Sequence, residues 1–169
     1  VRLSVKPLQI LNAARRKVMP IYTDDFSTVP YGTLGILALP GCEELGRKID
    51  SYLVKWRDKR ESEHKSTIAF AGYERDSYLL NATFPRFGTG EAKCMLKESV
   101  RGYDVFILCD CFNYGITHEI YGRTVPYSPD EHYANLKRAI AAMAGKARRI
   151  TVIMPMLYEG RQHKRTARE

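Results

Sequence analysis

The run Asp104-Val-Phe-Ile-Leu-Cys-Asp-Cys111 restricts the fold more than any other stretch of this chain. Its near-continuous apolar core has no polar face, which is how a strand buried on both sides of a parallel sheet reads. A helix is expected next, over 129–144. Ser128 can cap its first N–H groups, Pro129 suits the first helical position, and Glu131 completes a capping box. Tyr133, Leu136, Ile140 and Met143 supply an apolar stripe, and Gly145 ends the helix. A second strand follows at 149–154, closed by Pro155. Strand, helix and strand in this order form a βαβ unit, and that unit makes the two strands parallel. The predicted class is α/β, a layered, mostly parallel sheet with helices on both faces.

Upstream, 34–39 reads as a short buried strand stopped by Pro40-Gly41. Leu45, Ile49, Tyr52, Leu53 and Trp56 then recur as one helical face, with Glu43, Glu44, Arg47, Lys48 and Asp50 off it. Residues 58–65 read as a charged loop, 67–71 and 78–84 as strands rich in β-branched and aromatic residues, and 92–96 as a half-exposed strand before the turn at Arg101-Gly102. Segment 112–127, with Gly115, Gly122, Pro126 and several tyrosines, is expected to be a long loop, functional or inserted. Residues 1–33, broken by Pro7, Pro20 and Pro30, are expected to be an extension wrapped on the domain, with a short helix near 8–17.

The 169 residues fit one domain, 34–169, and the 44% hydrophobic and 27% charged fractions are those of a folded globular protein. The longest apolar stretch, 139–144, is far short of the ~20 residues of a membrane span, and the opening residues lack the apolar region of a signal peptide. Four cysteines are too few for a secreted disulfide scaffold, so the cytoplasm is the expected location. The net charge of +8 sits at the two ends: residues 1–20 hold five Lys/Arg and no acid, and 146–169 hold seven against two acids. Two basic ends on a near-neutral body point to local anion sites or to a piece of something larger.

In open α/β sheets ligands bind beyond the carboxyl ends of the strands, and two of the loops there carry unusual residues. Pro85-Arg-Phe-Gly-Thr-Gly-Glu91 combines two glycines with Arg86, Thr89, Glu91 and a Phe87 able to stack on a base. Its bland reading is a glycine-rich hairpin turn with Phe87 in the core. Tyr158-Glu-Gly-Arg-Gln-His-Lys-Arg165 puts Arg161, Gln162, His163, Lys164 and Arg165 at a strand's carboxyl end, where they would suit a polyphosphate. The alternative there is a solvated charged face. Cys109 and Cys111 read as core thiols before metal ligands, and His118 and His132, which flank the long loop and could meet in space, read as structural or solvated before a metal pair. No protein-bound metal site is expected. Neither a P-loop nor a Gly-x-Ser-x-Gly elbow is present.

Arg86-Phe-Gly-Thr-Gly-Glu91, Glu98-Ser-Val-Arg-Gly-Tyr-Asp-Val-Phe-Ile-Leu108, Arg149-Ile-Thr-Val-Ile-Met-Pro155 and the 158–165 loop together resemble, in order, the N-terminal domain of ribose-phosphate pyrophosphokinases (PRPP synthetases). That family typically reads Arg-Phe-Ser-Asp-Gly-Glu, Glu-Ser-Val-Arg-Gly-Lys-Asp-Val-Phe and Tyr-x-x-x-Arg-Gln-Asp-Arg. The resemblance covers 34–169, with apparent insertions near 57–80 and 112–127. It implies a phosphoribosyltransferase-like three-layer sandwich and a parent enzyme that transfers diphosphate from ATP to ribose 5-phosphate, using Mg²⁺, in a homo-oligomer whose nucleotide site lies between subunits. Carried over by position, Phe87 and Glu91 would contact adenine while Arg161 and Gln162 hold ATP. Thr89 stands where the family has Asp, and His163-Lys164 where it has Asp-Arg. The family's catalytic loop, metal-binding histidine and ribose-phosphate loop follow the Arg-Gln motif, so this chain is expected to be the N-terminal half and inactive alone, its own catalytic residues unassigned. Two other readings fit the sequence: a non-catalytic regulatory homologue, and a basic nucleic-acid binding module whose affinity would fall steeply with salt.

Overall fold

The computed structural model describes residues 30–63 and 75–161. The expected helix at 8–17, the expected strand at 67–71 and the positions of Gln162, His163, Lys164 and Arg165 lie outside the described residues. Three parallel strands form the main sheet in the order β1 (Thr33–Ala38), β4 (Tyr103–Leu108), β7 (Arg149–Ile153). Segment 78–80 joins the free edge of β1 through a parallel bridge, Ile36 to Leu79, with Ile36 N donating to Tyr78 O at 2.8 Å and Leu80 N to Ile36 O at 2.7 Å. The chain therefore leaves β1 to one side first and returns to the other side as β4. That reversal makes the gap between β1 and β4 the switch point of the sheet, where α/β proteins place ligands.

Both faces of the sheet are covered, as alternation along the strands requires. Leu37, Val105, Ile107 and Cys109 pack with Leu136, Ala139 and Met143 of helix α2 (Pro129–Met143). Ile36, Leu108 and Tyr78 pack with Ile49, Leu53 and Val54 of helix α1 (Glu43–Ser62). The capping box forms as the sequence predicts: Ser128 Oγ accepts from Glu131 N at 3.2 Å and Glu131 Oε2 from Ser128 N at 2.8 Å. Gly145 follows with φ +69°, the left-handed stop expected of it. At the first paired position of β4 and β7, buried Asp104 accepts from Arg149 Nε at 2.8 Å.

Several sequence expectations change. Residues 58–62 continue α1 instead of looping, because their charges lie one turn apart and pair along it, Arg57 with Glu61 at 3.5 Å and Lys59 with Glu63 at 3.9 Å. The buried side of α1 is also rotated: Gly46 and Asp50 are buried, whereas Leu45, Tyr52 and Trp56 are exposed. Asp50 faces inward because it accepts from Tyr78 N at 2.7 Å and Ser77 Oγ at 2.9 Å, docking the edge segment. In α2, Ile140 is exposed and His132 and Asn135 take the inner face. The strand expected at 78–84 divides between the main sheet and a two-residue ladder, β2 (Ala82–Thr83) with β3 (Met95–Leu96), antiparallel.

Segment 112–127 is more than a loop. It contains the antiparallel hairpin of β5 (Thr117–Ile120) and β6 (Arg123–Pro126), joined by Tyr121-Gly122 with φ of +46° and +75°. Two left-handed residues make the turn that matches strand twist, normally signalled by Asn-Gly or Asp-Gly. Tyrosine in the first place hides that signal.

Candidate functional site

Loop 85–91 is the tip of the hairpin formed by β2 and β3, closed by the Arg86 to Ala92 bridge. Gly90 adopts φ +92°; its N–H donates to Phe87 O at 2.9 Å, and Phe87 N donates to Glu91 O at 2.8 Å. The turn is thus the glycine-rich hairpin of the bland reading, yet Phe87 is not in the core: it is 53% exposed. Thr89 and Glu91 are exposed as well, with Thr89 Oγ1 donating to Glu91 Oε2 at 3.3 Å. The β5–β6 hairpin braces the loop from the side, Tyr121 N donating to Gly88 O at 3.1 Å.

Arg86 points the other way, inward. Its side chain is only 7% exposed and its Nη1 donates to Glu131 Oε1 at 2.9 Å and to Gly90 O at 3.0 Å, while Nε donates to Tyr127 OH at 3.1 Å. The guanidinium also lies over the Tyr127 ring, 4.2 Å from its centroid. His118 Nε2 stands 3.2 Å from the same Glu131 oxygen. Burial alone would raise the Glu131 carboxyl, but the Ser128 N–H, the Arg86 charge and His118 outweigh it and hold that carboxyl below its ordinary value. In the sequence Arg86 stands as a ligand cation; the structure makes it the clamp that fixes the loop. His118 and His132 do not face one another as a ligand pair but bracket Tyr127, at ring distances of 4.9 and 5.0 Å. Among the described residues no group of three or more His, Cys, Asp and Glu side chains is placed to hold a metal ion.

The second loop leaves β7 through Met154 and Pro155. Tyr158 stacks on Tyr133 of α2, centroids 4.5 Å apart and planes at 21°, and its hydroxyl donates to Asp130. That hydrogen bond to a carboxylate pushes the Tyr158 phenol up to about 12. Beyond it, Glu159 has φ +58° and Arg161 is exposed. Phe112, Tyr114 and residues 156–161 enclose an open cleft of about 570 Å³. Both candidate loops, more than sixty positions apart in the chain, are therefore tied to the first turn of α2, one by Glu131 and the other by Asp130. The capping box identified Glu131 in the sequence; nothing there disclosed its second task.

Three thiols lie near the carboxyl ends of β1 and β4. Cys42, Cys109 and Cys111 are buried, with the last two sulfurs 3.6 Å apart. Burial pushes Cys42 up to about 11 and raises Cys109 and Cys111 as well, which leaves protonated, unreactive core thiols.

A family described as the N-terminal domain of ribose phosphate pyrophosphokinase matches this chain over residues 34–169. The chain matches no curated protein and no solved structure.

Proposed function

The chain belongs to the family of the N-terminal domain of ribose phosphate pyrophosphokinase, and from that premise we propose that it is the N-terminal half of a ribose-phosphate diphosphokinase. The parent would transfer the diphosphoryl group of ATP to the 1-hydroxyl of ribose 5-phosphate in the cytoplasm, supplying nucleotide biosynthesis. In that step the 1-oxygen bonds to the β-phosphorus, the bond from that phosphorus to the α,β-bridging oxygen breaks, AMP leaves, and the hydroxyl proton is lost. Mg²⁺ enters as part of the substrate, bound to the ATP phosphates.

What these residues do in this reading is bind and orient. Phosphoryl transfer depends on positioning and charge stabilisation, which cations and a base platform provide without a protein nucleophile. Arg161, with Gln162, His163 and Lys164 after it, would hold the nucleotide, and the loop bearing Phe87, Thr89 and Glu91 would meet the adenine from a neighbouring copy. The observation that carries the reading is the orientation of loop 85–91: Arg86 is locked inside while Phe87 projects into solvent. A phenyl ring left about half exposed on a fixed turn keeps apolar area in water and suits base stacking.

ATP titration and melting curves on the assembled full-length protein test this. Phe87→Ala and Arg161→Ala should each weaken ATP, the former by roughly 5- to 150-fold, the equivalent of about 1 to 3 kcal/mol of stacking, with little change in Tm. Unchanged ATP affinity in both variants overturns the assignment, as would RNA or DNA binding that persists at physiological salt and ignores ATP.

A further inference from the structure

The entry to segment 112–127 is fixed on both sides of Tyr114. Asn113 Nδ2 donates to Gly41 O at 3.2 Å, Asn113 Oδ1 accepts from Gly115 N at 3.0 Å, and the Asn113 carbonyl lies 2.8 Å from His132 Nε2. One residue earlier, Phe112 N donates to Asp110 Oδ1 at 3.0 Å. Gly41 has φ +93°, and a Cβ there would fall 2.7 Å from Asn113 Nδ2, so the end of β1 keeps the space that this amide fills. The backbone is thus anchored to the switch point of the sheet and to α2. Tyr114 itself is 60% exposed.

Tyr114 lines the 570 Å³ cleft together with Phe112 and residues 156–161. The volume is within the range of roughly 300 to 1,000 Å³ that small-molecule sites occupy. A pinned backbone presenting an exposed tyrosine in a cleft that Arg161 also lines suits a ligand with a flat π face at one end and negative charge at the other.

We propose that Tyr114 is a stacking face for the base of a purine nucleotide whose phosphates run toward Arg161. The proposal rests on the nucleotide reading of the Arg161 loop and adds a specificity-determining residue from the insertion, outside the segments that carry the family motifs. A ring on one face of the base leaves the other face open to Phe87 of a neighbouring copy.

The test uses the assembled full-length protein, with ATP and inorganic tripolyphosphate as two separate probes and a melting curve for each variant. Tyr114→Ala should weaken ATP roughly 5- to 150-fold, as loss of one stacked ring does, while tripolyphosphate affinity and Tm stay at the parental values. Tyr114→Phe, which keeps the ring, should restore ATP binding. If Tyr114→Ala leaves ATP unchanged while Arg161→Ala weakens it, the role of Tyr114 is overturned and the nucleotide reading stands. Equal weakening of both probes would also overturn it, because the ring would then be shaping the cleft and not reading the base. No effect on ATP of either Arg161→Ala or Phe87→Ala would remove the nucleotide reading and this inference with it.

Discussion

Asp130 and Glu131 are neighbours in the first turn of α2, yet the two loops they hold are held in different ways. Glu131 reaches a guanidinium that is almost fully buried and that also bonds a carbonyl and a phenol, so loop 85–91 is part of the framework. Asp130 is exposed and meets the hydroxyl of Tyr158, whose ring stacks on Tyr133, so this tie between α2 and the Arg161 loop lies at the surface. A buried ion pair is costly to break because the abandoned partner stays desolvated, whereas an exposed contact is replaced by water. The first loop is built to keep one shape. The tie of the second to α2 is open to water.

The sharpest way to break this contrast is Arg86→Ala. It leaves Glu131 and Tyr127 without their partner in a mostly buried site and should cost about 3 kcal/mol, at the low end for a buried pair because Glu131 is partly exposed. For a chain of this size that is a fall in Tm of roughly 6 to 12 °C. Asp130→Ala, one residue from Arg86's partner, should leave Tm nearly where it was. Equal melting of the two variants would show that the ties do not differ.

Glu131→Gln removes charge and keeps shape, and should cost about 2 kcal/mol near neutral pH, the scale of hydrogen bonds to a charged group. Because the folded carboxyl lies below its ordinary value of 4.5, its contribution is fully present above that value and is lost as pH falls through the folded one. Parental stability should therefore drop more steeply than that of Glu131→Gln below about pH 4.5. Parallel acid-unfolding curves would place the charge elsewhere. Ser128→Ala, which deletes the cap under both loops, should cost about 1 kcal/mol and lower Tm without favouring either.

These differences were only partly legible in the sequence. The βαβ unit from β4 to β7 was, since a continuous apolar run, a capping box and a glycine stop each speak locally and agree. The inward turn of Asp50 was not, because a buried carboxylate on a helix makes sense only once Ser77 and Tyr78 arrive from a distant segment. The β5–β6 hairpin was hidden by Tyr121 occupying a left-handed position usually taken by Asn, Asp or Gly. At the candidate site, Phe87 and Arg161 could be named from motif and residue chemistry. Arg86 was named for the wrong reason, since sequence shows a cation in a glycine-rich loop and not the Glu131 that receives it from 45 positions away.

The smallest expected effect concerns the surface tie, and it separates a real hydrogen bond from mere proximity. The Tyr158 phenol, ordinarily titrating at 10.0, is pushed up to about 12 mainly because its proton is shared with Asp130. A difference titration of tyrosine absorbance comparing Asp130→Asn with the parent should show one phenol moving back toward the ordinary value, since an amide accepts more weakly and carries no charge to oppose the phenolate. The stack on Tyr133 does not depend on that proton and should persist. Loop placement would then survive while the electrostatic coupling is lost, so ATP affinity should change less in Asp130→Asn than in Arg161→Ala. A phenol titration identical in parent and Asp130→Asn would mean the hydroxyl is not held by Asp130, and the contrast between a locked loop and a lightly tied one would then rest on stacking alone.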